Sequence, residues 1–243
     1  NDALLTLAGH DPQADIHRFN RGPYLIHEAA KKQKFDVVKV LLDLKASADG
    51  SHGAHALACV AKAGDKRGST ETAALLLRGK AEIRTGILSP LRGAAASGSS
   101  TIIELLVQHK ADIEGAGGRW AVYDAVKHGT PKVVVSQLLN LKVSIDGGEL
   151  GSMILVAAAC HGSATIVELL VEHKADIGGD AGNLALRAAV EGGRKVALVK
   201  RLLDLKAPVH SEKDRVMGAL FNAVLKKREG IVKLLIERKA DLR

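Results

Sequence analysis

The stretch LLVQHKADI at Leu105–Ile113 returns almost unchanged as LLVEHKADI at Leu169–Ile177. Weaker copies begin at Val40 (VLLDLKASA), Leu75 (LLLRGKAEI), Gln137 (QLLNLKVSI), Arg201 (RLLDLKAPV) and Leu234 (LLIERKADL). One lysine marks each copy: Lys45, Lys80, Lys110, Lys142, Lys174, Lys206 and Lys239, at intervals of 35, 30, 32, 32, 32 and 33 residues. A period of this size means an array of small units, each of which hides its apolar side against its neighbours rather than in one central core.

Every unit has the same grammar. A Gly-rich or polar stretch, such as Glu114–Gly118 or Gly178–Gly182, comes first. A short Ala-rich helix follows, as at Leu91–Ser97 or Leu184–Glu191, then a break at Gly64, Gly98, Gly129, Gly162 or Gly192. A second helix carries apolar residues at helical spacing, for example Ile102, Ile103, Leu105 and Leu106. Two helices of about two turns each bury too little to stand alone, so they must lie close to the next pair. Small residues at Ala29–Ala30, Ala94–Ala95, Ala158–Ala159 and Ala188–Ala189 permit that approach; Val60–Ala61, Ala125–Val126 and Ala223–Val224 occupy the same slot. Composition agrees: 47% of the 243 residues are hydrophobic, yet the aromatics number only three Phe, two Tyr and one Trp. Such a core is built from Ala, Leu, Val and Ile rather than from bulky rings.

This pattern resembles the ankyrin repeat. The family's Thr-Pro-Leu-His opening, one variable residue and two alanines are matched at Ser89–Ala95 and Tyr24–Ala30, and more loosely at His55–Ala61, Trp120–Val126, Met153–Ala159, Asn183–Ala189 and Gly218–Val224. The resemblance implies an all-α stack of helix-turn-helix repeats in one solenoid over residues 1–243, with short hairpin fingers. A partial repeat at 1–17 would precede repeats near 18–50, 51–85, 86–115, 116–147, 148–179, 180–211 and 212–243. Leu4, Leu5, Ala14, Asp15 and Ile16 carry the remnant of the partial repeat, and Asp241 and Leu242 stand where another repeat would begin. The missing initial Met and the lack of evident polar caps suggest a piece of a longer protein. Three insertions depart from the pattern: about four residues at Gly64–Gly68, and smaller ones near Thr130 and Gly193.

The family usually has Gly where this chain has its lysine ladder. Gly belongs there because the second helix closes on a left-handed residue, and an L residue in that conformation costs about 1–2 kcal/mol. A cation beside a helix C-terminus recovers about 0.3–1 kcal/mol. The formal net charge is +8, and without the seven ladder lysines it would be +1. Two readings follow. The ladder is a tolerated solvated residue copied by duplication, or it is a ridge for a polyanion or an acidic protein surface. Nucleic acid is the weaker form of the second, since no zinc-finger or RNA-binding signature and few stacking aromatics are present.

Catalytic and metal chemistry find little support. GDKRGST at Gly64–Thr70 lacks P-loop spacing and lies between two helices, so it reads as a solvated insertion. No HExxH or GxSxG occurs, Cys59 and Cys160 form no CxxC pair, and the ten histidines are scattered. His109 and His173 are duplicates of one slot, and His27 occupies the family's opening histidine, where a turn-stabilising hydrogen bond is expected. No enzyme activity, cofactor or metal is expected. The longest apolar runs are far short of a bilayer span, and the cysteine usage requires no oxidising compartment. A cytoplasmic or nuclear monomer is the expectation.

The resemblance implies a protein-interaction module or scaffold that holds a partner protein in a concave groove lined by the first helices. The contact slots would then hold Lys31, Lys32, Lys62, Ala63, Ala96, Ser97, Lys127, His128, Cys160, His161, Val190, Glu191, Leu225 and Lys226. Arg119, Trp120 and Tyr123 stand at the start of one first helix. Trp, Tyr and Arg are the side chains that most often anchor interfaces. The cluster Arg119, Trp120, Tyr123, Lys127 and His128, with His161, Lys31 and Lys32, is therefore the candidate contact surface. The competing reading has Trp120 merely cover an apolar edge.

Overall fold

The computed structural model describes residues 22–86, 88–146, 148–161, 163–193, 195–209 and 218–238. The expected remnant at 1–17, the break at Gly162, Lys239 and the expected repeat start at Asp241–Leu242 lie outside the described residues. The chain divides into two compact units, residues 1–112 and 113–243. The first contains α1 (Gly22–Lys31), α2 (Phe35–Asp43), α3 (Gly50–Ala63), α4 (Ser69–Arg78), α5 (Pro90–Ser97) and α6 (Ser100–Gln108). The second contains α7 (Ala116–Lys127), α8 (Lys132–Asn140), α9 (Gly148–His161), α10 (Ala164–Glu172), α11 (Asp180–Glu191), α12 (Val196–Asp204), α13 (Ala219–Leu225) and α14 (Glu229–Glu237). No strand occurs among the described residues.

Within each unit the odd-numbered helix packs on the even-numbered helix that follows it. Odd helices also pack on odd ones, α1 on α3 on α5 and α7 on α9 on α11 on α13, and even on even in the same way. This is neighbour-only packing, as the period predicts. The second helices present one wide apolar stripe: Ile102, Ile103 and Leu106 in α6, Val134, Val135, Leu138 and Leu139 in α8, Ile166, Val167 and Leu170 in α10, all buried. Each such side chain contributes about 1.5–3 kcal/mol when fully removed from water. The alanine pairs of the first helices are buried at Ala94–Ala95 and Ala158–Ala159, whereas at Ala29–Ala30 and Ala188–Ala189 only the second member is fully covered.

The start of several repeats differs from the sequence reading. The Gly-rich stretch is not a linker but the first turn of the helix. Thus α7 begins at Ala116, α11 at Asp180, and α3 and α9 run for 14 residues instead of two turns. The glycines are there because the incoming backbone crosses the helix at contact distance. A Cβ on Gly118 would stand 1.8 Å from the Ile113 carbonyl oxygen, on Gly182 1.8 Å from that of Ile177, and on Gly53 1.5 Å from that of Ala48.

The closures of the second helices follow the expectation. Lys45, Lys80, Lys110, Lys142, Lys174 and Lys206 all have left-handed backbones, with φ from 60° to 71°. The lysine N–H bonds three residues back at all six, as from Lys110 to Val107 at 3.0 Å, and at five of the six, Lys142 excepted, the next N–H bonds five back, as from Ala111 to Leu106 at 2.9 Å. These two bonds define the Schellman closure, and the residue after the lysine is buried each time (Ala46, Ala81, Ala111, Val143, Ala175, Ala207). First helices close similarly on Gly98, Gly129 and Gly193, and on the non-glycines Gln33 and Lys227. The expected break at Gly192 is where α11 stops. Gly192 has φ −71°, and the left-handed residue is Gly193 with φ 69°.

The insertion between α3 and α4 is more than a solvated loop. The Ser69 hydroxyl, fully buried, donates to the Gly64 and Lys66 carbonyls. Asp65 accepts from Ser99 and, at 2.9 Å, from Thr101 at the start of α6 in the next repeat. Lys66 Nζ reaches Gln33 Oε1 at 2.7 Å in the previous one. Asp65, Lys66 and Ser69 thus fasten three successive repeats.

Two outcomes test these assignments by urea unfolding of the whole chain. Lys110→Gly should leave the array unchanged or more stable by up to about 1 kcal/mol, because relief of left-handed strain outweighs the added freedom of the unfolded chain. Gly182→Ala should destabilise by about 1–3 kcal/mol, the usual cost of forced overpacking. A destabilising Lys110→Gly, or a neutral Gly182→Ala, contradicts the corresponding assignment.

Candidate functional site

The second unit contains a hollow of about 580 Å³ on the side formed by its first helices. Helix α7 supplies Tyr123 and Lys127, α9 supplies Glu149, Ser152, Met153, Val156, Ala157, Cys160 and His161, and α11 supplies Leu184, Arg187, Ala188 and Glu191. The arrangement follows from helical spacing. With Ala125, Ala158 and Ala189 turned into the stack and fully buried, residues on the opposite face of each helix line one trough. The floor is apolar and adaptable, with Met153, Val156, Ala157, Leu184 and Ala188; Leu184 is 42% exposed, high for an aliphatic side chain. Charged groups stand around it: Lys127 and Arg187 against Glu149 and Glu191. Arg187 lies 3.9 Å from Glu191, whose Oε1 also accepts from Asn222 Nδ2 at 2.9 Å, so this end is held in place. A hollow of this volume and lining suits an apolar side chain with a polar frame around it.

The structure separates the candidate contact residues into three groups. Tyr123, Lys127 and His161 line the hollow together. Trp120 stands behind them, its ring meeting that of Tyr123 edge-on at 5.5 Å, and Lys127 Nζ lies 5.5 Å from the Tyr123 ring centre. Trp120 is half-buried, so it both braces Tyr123 and keeps an open face. Arg119 instead reaches Ser144 Oγ at 3.4 Å and Asp146 at 3.7 Å, which ties α7 to the turn after α8. His128 is the exposed closing residue of α7, outside the lining of the hollow. Lys31 and Lys32 are exposed in the other unit, with Lys31 3.8 Å from Glu28. Val190, assigned to a contact slot by alignment, is fully buried, while its neighbour Glu191 lines the hollow.

Sequence reasoning missed Met153, Val156, Leu184 and Arg187. The signal was present, since Met153 and Val156 stand five and two residues before the buried Ala158, and Leu184 five before Ala189. Counting back two or five residues from the buried alanine, roughly half a turn out of phase, finds this face; counting forward, as the slots were assigned, reaches only its far end.

The six described ladder lysines are all exposed, and among the described residues none joins an ion pair within 4 Å. In the second unit Lys142 and Lys174 border one shallow hollow of about 400 Å³, together with Ser144, Asp146, Glu172 and His173. The Ser144 hydroxyl bonded to Asp146 holds that carboxyl below its usual range, with smaller contributions from Arg119 and Lys174. Cations and carboxylates are therefore interleaved along this edge. His109 and His173 have a local duty: each Nδ1 donates at 2.9 Å to the carbonyl four residues earlier, Leu105 or Leu169, at the end of its helix. Among the described residues no helix is long and apolar enough to cross a membrane.

No curated protein matches the sequence. The chain is similar in structure to the ankyrin repeat domain of human ASB11, with a TM-score of 0.70 at 21% identity, over 90% of this chain and 99% of that one. At that identity the likeness establishes the architecture alone. The family described as ankyrin repeats (3 copies) matches residues 91–181 and 122–214, which together cover just over half of the chain. With its recurring helix pairs and their Schellman closures, the protein belongs to the ankyrin-repeat family, whose stacked helices form a non-catalytic scaffold for interaction with other proteins.

Proposed function

We propose that the chain binds a partner protein through the hollow lined by α7, α9 and α11, with Trp120 and Tyr123 as its aromatic edge. The observation that carries this reading is the apolar floor inside a charged frame, where Leu184 is exposed and Met153 and Val156 are half-buried. Apolar surface gathered in a concavity gains most by being covered, and the polar frame restricts what covers it. The partner would insert an aliphatic or aromatic side chain and present both an acid toward Lys127 and a donor toward Glu149. Stacks of this kind need no oligomer to bury their repeats, and the module would work as a monomer.

A second reading assigns the lysine ladder to an acidic protein surface or another polyanion. Its support is the exposure of Lys45, Lys80, Lys110, Lys142, Lys174 and Lys206, each retained at a position where Gly is less strained. Against it stand Asp146 and Glu172 beside Lys142 and Lys174, which lower the local field.

The test begins with proteins captured from a cell extract by the intact chain, then measures their binding to purified variants. Leu184→Asp and Trp120→Ala should each weaken binding by about 2 kcal/mol, the scale of an interface anchor, with the helical circular dichroism preserved. Lys200→Asp, an exposed change on α12, should have no effect. Equal binding by all three variants sinks the hollow as the site. The triple change Lys110→Gln, Lys142→Gln and Lys174→Gln separates the readings. A log–log salt slope reduced by nearly one per lysine would favour the ladder, and an unchanged slope the hollow.

A further inference from the structure

Three histidines of the first unit, scattered in sequence, meet at one seam. His27 comes from α1, and His52 and His55 come from α3 at a spacing of three residues, which puts them on one face of that helix. The His27 ring centre is 5.3 Å from that of His55 and 6.0 Å from that of His52, and Tyr24 meets His52 edge-on at 5.8 Å. Helices α1 and α3 pack directly on each other, so the rings lie in a contact between repeats rather than on free loops. The hydrogen bond expected of His27 from the family's opening motif is not made among the described residues; His27 has ring neighbours instead. His52 Nδ1 is buried and has no hydrogen-bond partner. The three rings do not form a metal site, for among the described residues no three donor groups are arranged to hold an ion.

We propose that His27, His52 and His55 form a proton-sensitive seam that holds α1 against α3 at neutral pH and loosens on acidification. Neutral imidazoles pack edge and face like other aromatic rings, but imidazolium ions at these separations repel one another. The charges nearest His27 do not relieve this. On its own helix they are Glu28, which favours a proton, and Lys31, which opposes it, and these two lie 3.8 Å apart. From α3 come His55 and His52, with Cys59 and Lys62 further along the same helix. The other helices packed on this pair bring Asp36, Lys39 and Asp43 on α2, Glu71 and Arg78 on α4 and Arg92 on α5, of which Glu71 is engaged by Lys39 at 2.8 Å.

The direction follows from the sign of the shift. Burial, then His55 and His52, depress the proton affinity of His27 below its ordinary value of 6.5. A histidine depressed in the folded state contributes its full stabilisation above that ordinary value. The contribution is lost as pH falls through the lower, folded value. The response belongs to the cluster, since one added proton raises the cost of the next.

Cys59 offers a built-in reporter. It lies one turn after His55 on α3, it is half-buried, and burial pushes its thiol up, with Lys31 and Glu28 of α1 among the charges acting on it. In the full chain carrying Cys160→Ser, Cys59 would be modified with a dipyridyl disulfide, which reacts in acid as well as at neutrality. The rate would be normalised to that of a free thiol at each pH. Between about pH 7.5 and about pH 5, the span in which histidine titrates, the normalised rate should rise several-fold. The rise should vanish when His27→Gln and His55→Gln are added. A flat rate in the parent, or a rise that survives both substitutions, overturns the proposal. Should the double variant lose its helical signal at neutral pH, the parent's imidazole NMR titrations decide. A lowered curve for His27 that moves on His55→Gln supports the seam, and a His27 curve at the ordinary histidine value that does not move refutes it.

Discussion

The closure of the second helix sets the terms for everything else in this chain. Two backbone hydrogen bonds, one into a left-handed residue and one just beyond it, end the helix and turn the chain toward the next repeat. The following residue, Ala or Val, is buried at once, so the turn is also a packing contact. Glycine would meet the conformational demand at least strain, yet lysine holds the position in all six described copies. Uniformity of this kind shows that the stacking contacts, repeated along each unit, tolerate a local penalty of about 1–2 kcal/mol per turn without loss of the geometry. The histidines before two of these lysines recover part of it, since their ring N–H groups satisfy carbonyls at the end of the helix.

The architecture was legible because periodicity reports which residues must face a neighbour. Ile102, Ile103 and Leu106 repeat as Ile166, Val167 and Leu170, and both sets are buried in the same way. Left-handed lysine was legible too, from chemistry: the slot needs a particular backbone whatever its occupant. What stayed hidden was the meaning of the glycines at the unit starts. In sequence, Gly118 and Gly182 look like flexible punctuation, whereas in three dimensions they admit a carbonyl oxygen against a helix. A close approach between segments leaves no periodic trace except the small residue itself. Likewise Asp65 gave no hint that it would meet Ser99 and Thr101, a repeat later in the chain.

The candidate surface was legible only in part, for a related reason. Tyr123, Lys127 and His161 were found because they differ in character from the residues around them. Met153, Val156 and Leu184 were missed because aliphatic residues in a helix are read as core until their exposure is known. The trough exists because alanines let the first helices approach so closely that the opposite faces, with larger side chains, form a continuous wall. The same small residues therefore account for the stack and for the hollow. His27, His52 and His55 illustrate the converse, in that residues on two repeats acquire a shared chemistry only when those helices are brought side by side.

The fastened loop at Gly64–Gly68 bears on how such an array varies in length. At the entrance to a repeat, the first helical turn already touches the incoming carbonyl, as at Gly53 with Ala48, so an added residue there would displace backbone against backbone. At the joint between the two helices of one repeat, five residues are instead held by Ser69, Asp65 and Lys66 without disturbing the succession of α3, α4, α5 and α6. Insertions are thus channelled to the joint inside a repeat. That joint is where a lineage, or a protein engineer, has room to graft a new peptide while the register of the neighbouring repeats survives.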